Sequence, residues 1–165
     1  MSSGRRAALA ALFAIFLIAG CAHPMRAGVP NDPQKGPWAG RLALQVQDQP
    51  GQSFSAGFEL RGRADAGELT LLNPLGGVVA HLSWAPGSAT LQSGGQTRQY
   101  ESVDALVAAA TGSSIPVAAL FDWLAGVNTP VPGWQPDLSQ LAQGRLRAQR
   151  LEPPPVADLR VVLEQ

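Results

Sequence analysis

Residues 38–60 read WAGRLALQVQDQPGQSFSAGFEL and contain two runs of alternating side chains on either side of a turn. From Trp38 to Gln47, apolar or small residues share one parity, whereas the polar residues Arg41, Gln45 and Gln47 share the other. After turn residues at 48–51, the alternation returns and continues to Leu60. A period of two is typical of a strand that buries one face. The segment therefore predicts an antiparallel hairpin.

The hairpin opens a longer series of short strands. Further strands are predicted at residues 68–72, 78–84, 88–92 and 96–100. Glycine, proline, asparagine and serine separate these segments, and they are the residues that turns favour. At least six strands therefore follow one another as a meander. Beyond them, residues 127–136 are predicted to form a proline-rich loop that contains Trp134, and weak strands are predicted at 145–151 and 159–163.

Two short helices are predicted between the meander and the proline-rich loop. Ser102 fits the N-cap of the first, which Gly112 ends. Pro116 fits the first helical position of the second, which Gly126 ends. Neither helix is long enough to be stable alone, so both must pack on the sheet. The predicted fold is mainly β: a single curled antiparallel sheet, an unclosed β-barrel, with two short helices as a lid over an apolar cavity.

The N-terminus carries the features of an export signal. Arg5 and Arg6 precede an apolar run over residues 7–19, which is too short to span a bilayer. The run ends at Cys21, the single cysteine in the chain, after small residues that resemble a lipoprotein signal-peptidase site. An ordinary signal peptide with an incidental cysteine is the alternative. We predict a signal peptide at 1–20, lipidation of Cys21, a lipid-anchored tether over 21–37 and one domain over 38–165.

Composition and charge limit the classes of function. One cysteine cannot form an internal disulfide. Removal of residues 1–20 takes away two arginines, so the mature chain has ten basic and twelve acidic residues and a net charge of −2. This balance argues against nucleic acid as a partner. His23 and His81 lie in no metal-ligand or nucleophile pattern, and no glycine-rich loop has phosphate-binding spacing. We therefore expect no enzymatic activity, no metal and no cofactor.

Two motifs carry a family resemblance. Residues 71–76 read LLNPLG, and residues 111–116 read TGSSIP, followed by Trp123, Leu124 and Gly126. In this order, behind the cysteine, they resemble the outer-membrane lipoprotein receptors of the LolB family. Over its last third the chain departs from that family, because its final strands are short and rich in arginine instead of aromatic residues.

The resemblance implies a function, a location and a set of partners. Such receptors accept acylated lipoproteins from the periplasmic carrier LolA and place them in the inner leaflet of the outer membrane. The expected partners are therefore lipoprotein cargo, LolA and outer-membrane lipid, for a monomer whose domain faces the periplasm. Ala22, in place of aspartate, also favours the outer membrane. The alternative is a structural or assembly lipoprotein that uses the sheet to bind a protein partner.

Two candidate sites follow. The first is an acyl-chain cavity, although each apolar residue assigned to it could equally belong to a filled core. Its candidates are Trp38, Leu44, Phe54, Phe58, Leu82, Trp84, Leu120, Phe121 and Leu124. The second is a membrane-insertion loop formed by Pro74, Leu75 and Gly76, in which the resemblance implies that the leucine projects from the barrel. From physics alone, Leu75 could instead fold back onto the sheet.

Overall fold

In the computed structural model, which describes residues 36–164, a nine-stranded sheet is accompanied by two α-helices and two short 3-10 helices. The strands are β1 (Trp38–Val46), β2 (Phe54–Gly62), β3 (Gly67–Leu72), β4 (Val78–Ala85), β5 (Ser88–Ser93), β6 (Gln96–Tyr100), β7 (Trp134–Asp137), β8 (Arg145–Arg150) and β9 (Ala157–Leu163). The helices are α1 (Val103–Thr111) and α2 (Val117–Leu124), and the 3-10 turns are Pro50–Gln52 and Leu141–Gln143. The predicted signal peptide, Cys21 and the tether as far as residue 35 lie outside the described residues.

The strands lie in the order β6-β5-β4-β3-β2-β1-β9-β8-β7, and every neighbouring pair is antiparallel. Strands β1 to β6 are the predicted meander. The last strand returns to pair with the first, with Leu159 opposite Leu44. Strands β6 and β7 are the two edges and do not pair with each other. The predicted fold class, an unclosed antiparallel barrel with two helices, is confirmed.

Three local predictions were wrong. Trp134 begins a strand, not part of a loop, and β7 pairs with β8. The prolines hid this strand, but Pro136 is tolerated because an edge strand leaves one row of backbone groups without a ladder partner. Pro116 is the N-cap of α2, not its first residue, with an extended backbone at ψ 94°. Strand β9 begins at Ala157, earlier than the predicted start at residue 159.

Alternation along the strands directs one set of side chains to the inner face, and the helices cover that face. Helix α1 packs against β4, β5 and β6. It begins as predicted, because the Ser102 hydroxyl accepts a hydrogen bond from the Ala105 N–H at 3.1 Å. It ends at Gly112, whose φ of 73° is the left-handed conformation that glycine adopts most easily. None of the helices within residues 36–164 is long and apolar enough to cross a membrane.

Candidate functional site: the covered cavity and the leucine loop

Helix α2 is fixed to the sheet by aromatic side chains. Phe121 lies between Trp38 of β1 and Trp84 of β4, with ring centroids 5.6 and 6.2 Å away in edge-to-face geometry. Such aromatic pairs add roughly 0.5–1.5 kcal/mol each beyond the area they bury. Trp123 is fully buried, and its indole N–H donates to the Thr129 carbonyl at 2.9 Å. The helix and the chain that leaves it are therefore held as one unit.

The linker between the helices contacts a buried arginine. Arg150 of β8 is only 9% exposed and donates to the carbonyl oxygens of Pro155, at 3.2 Å, and Ser114, at 3.5 Å. Its guanidinium lies 5.9 Å from the ring centroid of Trp134. Within the described residues its buried Nε has no hydrogen-bond partner. A buried cation of this kind is costly, and carbonyl oxygens and an aromatic face compensate for part of that cost.

A small void lies between the helices and the inner face of the sheet. It has a volume of about 30 Å³, and aliphatic and aromatic side chains form almost all of its wall. Its one hydroxyl belongs to Thr111, which lies 2.8 Å from the Val107 carbonyl oxygen and is thus satisfied locally. The lining residues are Leu42, Phe54, Phe58, Leu60, Leu69, Leu71, Trp84, Val107, Thr111, Ile115, Val117, Leu120, Leu124, Leu159 and Val161.

The predicted cavity residues divide into two groups. Five of them line the void: Phe54, Phe58, Trp84, Leu120 and Leu124. The other four are buried in the surrounding core and do not line it: Trp38, Leu44, Leu82 and Phe121. Sequence reasoning also missed lining residues on β3 and β9, where the alternation would have identified them, and Ile115 in the linker. Contact of any of these side chains with an acyl chain stays a prediction.

The void is small compared with a typical ligand-binding site. Its volume of about 30 Å³ leaves room for about two water molecules, since each needs roughly 10–15 Å³ of such space. Sites for small-molecule ligands typically have about 300–1,000 Å³. A long apolar ligand would therefore enter only if the helices moved away from the sheet. Phe54 and Leu120 line the void but are only half-buried, so they lie closest to such an entrance.

The loop between β3 and β4, residues 73–77 and here called the leucine loop, is held by its own hydrogen bonds. The side-chain oxygen of Asn73 accepts from the N–H groups of Leu75 and Gly77, both at 2.9 Å. The Asn73 backbone closes the same turn by donating to the Gly77 carbonyl and accepting from the Gly76 N–H, also at 2.9 Å. Gly76 has a φ of 82°, which disfavours any other residue there. The backbone at the loop tip therefore keeps its shape without help from the Leu75 side chain.

That side chain projects into solvent. Leu75 is 95% exposed, so it does not fold back onto the sheet. Val78 and Val79, which begin β4, are also exposed, at 65% and 45%. Water contact with this much apolar surface is unfavourable, and such a patch typically marks a contact with a protein or a membrane.

One network of charged side chains lies on the surface of β8 and β9. Asp158 receives hydrogen bonds from Arg147 and Arg160 on the outer face of β8 and β9. Partial burial acts to raise the pKa of Asp158, but together these bonds hold it below its usual value. Residues 36–164 contain no group of three or more side chains suited to a metal ion. His81 has a single polar neighbour of note, the Thr70 hydroxyl at 3.2 Å.

Comparison with known proteins gives consistent results. The family described as "Outer membrane lipoprotein LolB" matches residues 37–152. A protein of that name from Bordetella petrii is 38% identical over 135 residues, which cover 78% of this chain and 66% of the relative, just under two thirds. One from Halorhodospira halophila is 31% identical over 87% of this chain and 74% of its own. One from Cupriavidus pinatubonensis is 33% identical over 88% and 72%.

Proposed function

The chain belongs to the LolB family of outer-membrane lipoproteins, and on that basis we propose that it receives acylated lipoproteins from the carrier LolA and inserts them into the inner leaflet of the outer membrane. The transfer requires no covalent chemistry. It requires an apolar site that opens and closes, and a contact with the bilayer where cargo leaves.

The covered apolar cavity is the observation that supports the proposal most directly. Two helices of nine and eight residues lie over an inner face that is almost wholly apolar. Short helices gain their stability from packing, so a helix that moves from the sheet loses the burial of its inner side chains, and an entering acyl chain would have to replace it. The cargo's acyl chains would take the place of the helix side chains against Phe58 and Trp84.

The leucine loop is the proposed contact with the bilayer. Leu75 makes almost no contact within the protein, so its apolar surface remains to be buried. Pro74 and Gly76 fix the turn on either side of it. Burial of one leucine contributes roughly 1.5–3 kcal/mol. That energy is enough to bias delivery towards a membrane, and it is too small to anchor a protein.

The anchor itself is proposed at Cys21, where two or three acyl chains would each bury many methylenes at roughly 0.8 kcal/mol apiece. The tether over residues 21–37 then links the lipid to a monomeric domain in the periplasm. Its 17 residues span up to about 55 Å when extended, which would let the domain reach both the carrier and the membrane.

The test is transfer from the carrier to a soluble receptor. The mature chain with Cys21→Ala is mixed with LolA that carries a labelled lipoprotein, and the label is followed by separation of the two proteins. We expect the label to move to the receptor, with little dependence on salt. Absence of transfer and of affinity for acylated peptide at any salt concentration would contradict the proposal, and would favour a structural lipoprotein that binds only protein.

A matched pair of variants connects uptake with the cavity. Leu120→Glu places a charge at the half-buried edge of the void, whereas Ala118→Glu places the same charge on the exposed side of the same helix. We expect Leu120→Glu to lose most of its uptake and Ala118→Glu to keep it. Equal uptake by the two variants would show that cargo binds elsewhere.

A further inference from the structure

A second recess lies on the outer face of the sheet, opposite the covered cavity. Leu72, Gly57 and Arg41 lie side by side on β3, β2 and β1, in one row across the strands. Because Gly57 has no side chain, the row has a gap at its centre. The gap forms an open recess of about 200 Å³, here called the outer slot, which the leucine loop borders.

The backbone does not require glycine at the floor of the outer slot. Gly57 lies in the middle of β2, and its φ is outside the left-handed region that favours glycine. Strand interiors normally disfavour glycine, because it packs nothing and loses more conformational entropy on folding. A Cβ atom added here would lie 3.2 Å from the Leu72 Cβ, which is tighter than an ordinary contact. A side chain at this position would therefore shift Leu72 by a few tenths of an ångström and occupy part of the slot.

Groups of both charges line the outer slot. Arg41 lines the slot, and so do Glu59 and Glu164. The Glu164 backbone N–H donates to the Ala39 carbonyl at 2.8 Å, which holds this residue beside β1. Glu59 already pairs with Arg61 at 3.2 Å through one carboxylate oxygen, and the other oxygen is left for a ligand. The slot therefore offers one cation and two carboxylates, a set that suits a ligand with both an anionic and a cationic group.

We propose that the outer slot binds the headgroup of an ethanolamine-type phospholipid, with its phosphate at Arg41 and its primary ammonium between the two carboxylates. The position of the slot supports a lipid as the source. Asn73, Pro74 and Gly76 form its border, so insertion of Leu75 would bring the slot to the depth of the headgroups. This inference rests on the proposed membrane contact of the loop.

The chemistry of the slot distinguishes among headgroups. A primary ammonium donates up to three hydrogen bonds to carboxylates, whereas a trimethylated ammonium donates none and is bulkier. A glycerol headgroup lacks the cation and would leave the carboxylates facing an anion. The slot volume of about 200 Å³ is below the roughly 300–1,000 Å³ of typical ligand pockets, so it suits a small headgroup better than a long acyl chain.

The experiment is vesicle binding by the mature chain carrying Cys21→Ala, measured by sedimentation. Three vesicle types are compared: choline phospholipid alone, an equimolar mixture with ethanolamine phospholipid, and an equimolar mixture with glycerol phospholipid. We expect tighter binding to the ethanolamine mixture by about three- to tenfold, the range for one or two partly exposed charge-assisted contacts. Equal binding to all three vesicles would overturn the proposal. So would tightest binding to the glycerol mixture, which would indicate general attraction of the arginines to anions.

Variants separate the slot from the loop. Gly57→Val fills part of the slot and Arg41→Gln removes its cation, and we expect both to lose the preference for ethanolamine lipid while they keep their binding to choline vesicles. Arg98→Gln, on the distant edge strand β6, is the control and should keep the preference. A preference that survives in both slot variants overturns the inference. Leu75→Glu should instead weaken binding to every vesicle, and its failure to do so would contradict the role proposed for the loop, not the slot.

Discussion

Leu75→Glu should slow delivery of cargo to membranes without destabilising the protein. The wild-type side chain is 95% exposed, so its replacement removes almost no contact from the folded state. The hydrogen bonds that shape the loop come from Asn73 and from backbone groups, which the substitution leaves in place. The free energy of unfolding should therefore change by less than about 0.5 kcal/mol, as is usual for surface substitutions.

The expected size of the delivery effect follows from the same exposure. Since nearly the whole side chain is in water before insertion, entry into lipid would recover roughly 1.5–3 kcal/mol, the full burial of a leucine. That free energy corresponds to a factor of about ten to 150 in membrane partitioning. If it stabilises the delivery step, Leu75→Glu should reduce the rate of transfer by at least about tenfold, whereas Leu75→Met should keep most of it because methionine is also apolar.

The assay loads each variant of the mature Cys21→Ala chain with labelled lipoprotein and follows transfer into liposomes. Val127→Glu is the matched control, because Val127 is an exposed apolar residue (53%) in the loop that follows α2. Equal transfer by Leu75→Glu and wild type would refute the reasoning. A clear fall in the melting temperature of Leu75→Glu would also refute it, because it would show that the leucine supports the fold.

Three further predictions concern the lipidation of Cys21, the ion pairs of Asp158 and the buried side chain of Arg150. Cys21→Ala should move the protein from the outer-membrane fraction to a soluble or uncleaved form. Mass spectrometry of the mature wild-type N-terminus is the second check, and an unmodified cysteine there would contradict lipidation. Asp158→Asn should lower the free energy of unfolding by up to about 1 kcal/mol at neutral pH, where the carboxylate is ionised. Because the pKa of Asp158 is lowered in the folded state, this contribution is present above the unfolded pKa of about 3.9 and is lost as the pH falls through the folded pKa. Urea titrations should therefore give a difference between variant and wild type that shrinks in acid, and a constant difference would count against the ion pairs. Arg150→Met should change the free energy of unfolding by less than about 1 kcal/mol, since an apolar side chain of similar size often replaces a buried cation at little cost. A loss of several kcal/mol in the same titration would show that its two carbonyl contacts matter more than their lengths suggest.

The fold was predictable from the sequence wherever the apolar side chains of a segment repeat at one regular spacing. The alternation from Trp38 to Leu60 predicted both strands and the inner face of each, because a half-buried strand requires that pattern. Ser102 and Gly112 bounded α1 correctly, since each supplies a capping geometry that few other residues supply. Strand β7 was missed because Pro136 normally argues against a strand, and only the position of β7 at an edge removes the objection.

The candidate sites were predictable to a smaller extent. A core residue and a cavity-lining residue obey the same alternation, so Leu44 and Phe58 cannot be told apart from their sequence patterns. The structure separates them, because only Phe58 lines the void. In the sequence, the outer slot is marked only by Gly57, a glycine among the polar, outward-facing positions of a strand. Its significance depends on which residues lie beside Gly57 across the strands, and the pairing register decides that.

The smallness of the void is consistent with the proposed uptake of acyl chains, because an acyl chain could itself supply the energy that opens the site. When a helix leaves the sheet, each leucine that returns to water costs roughly 1.5–3 kcal/mol, and an entering acyl chain regains roughly 0.8 kcal/mol for each methylene it buries. Two to four methylenes therefore offset one displaced, almost fully buried side chain such as Leu124. A chain with many methylenes can open the site by displacing a few helix residues, and the helices close again when it leaves. The empty cavity then exposes little apolar surface. In the proposed transfer, the direction would depend on where the acyl chains bind best, and that place would be the bilayer that we propose Leu75 to contact.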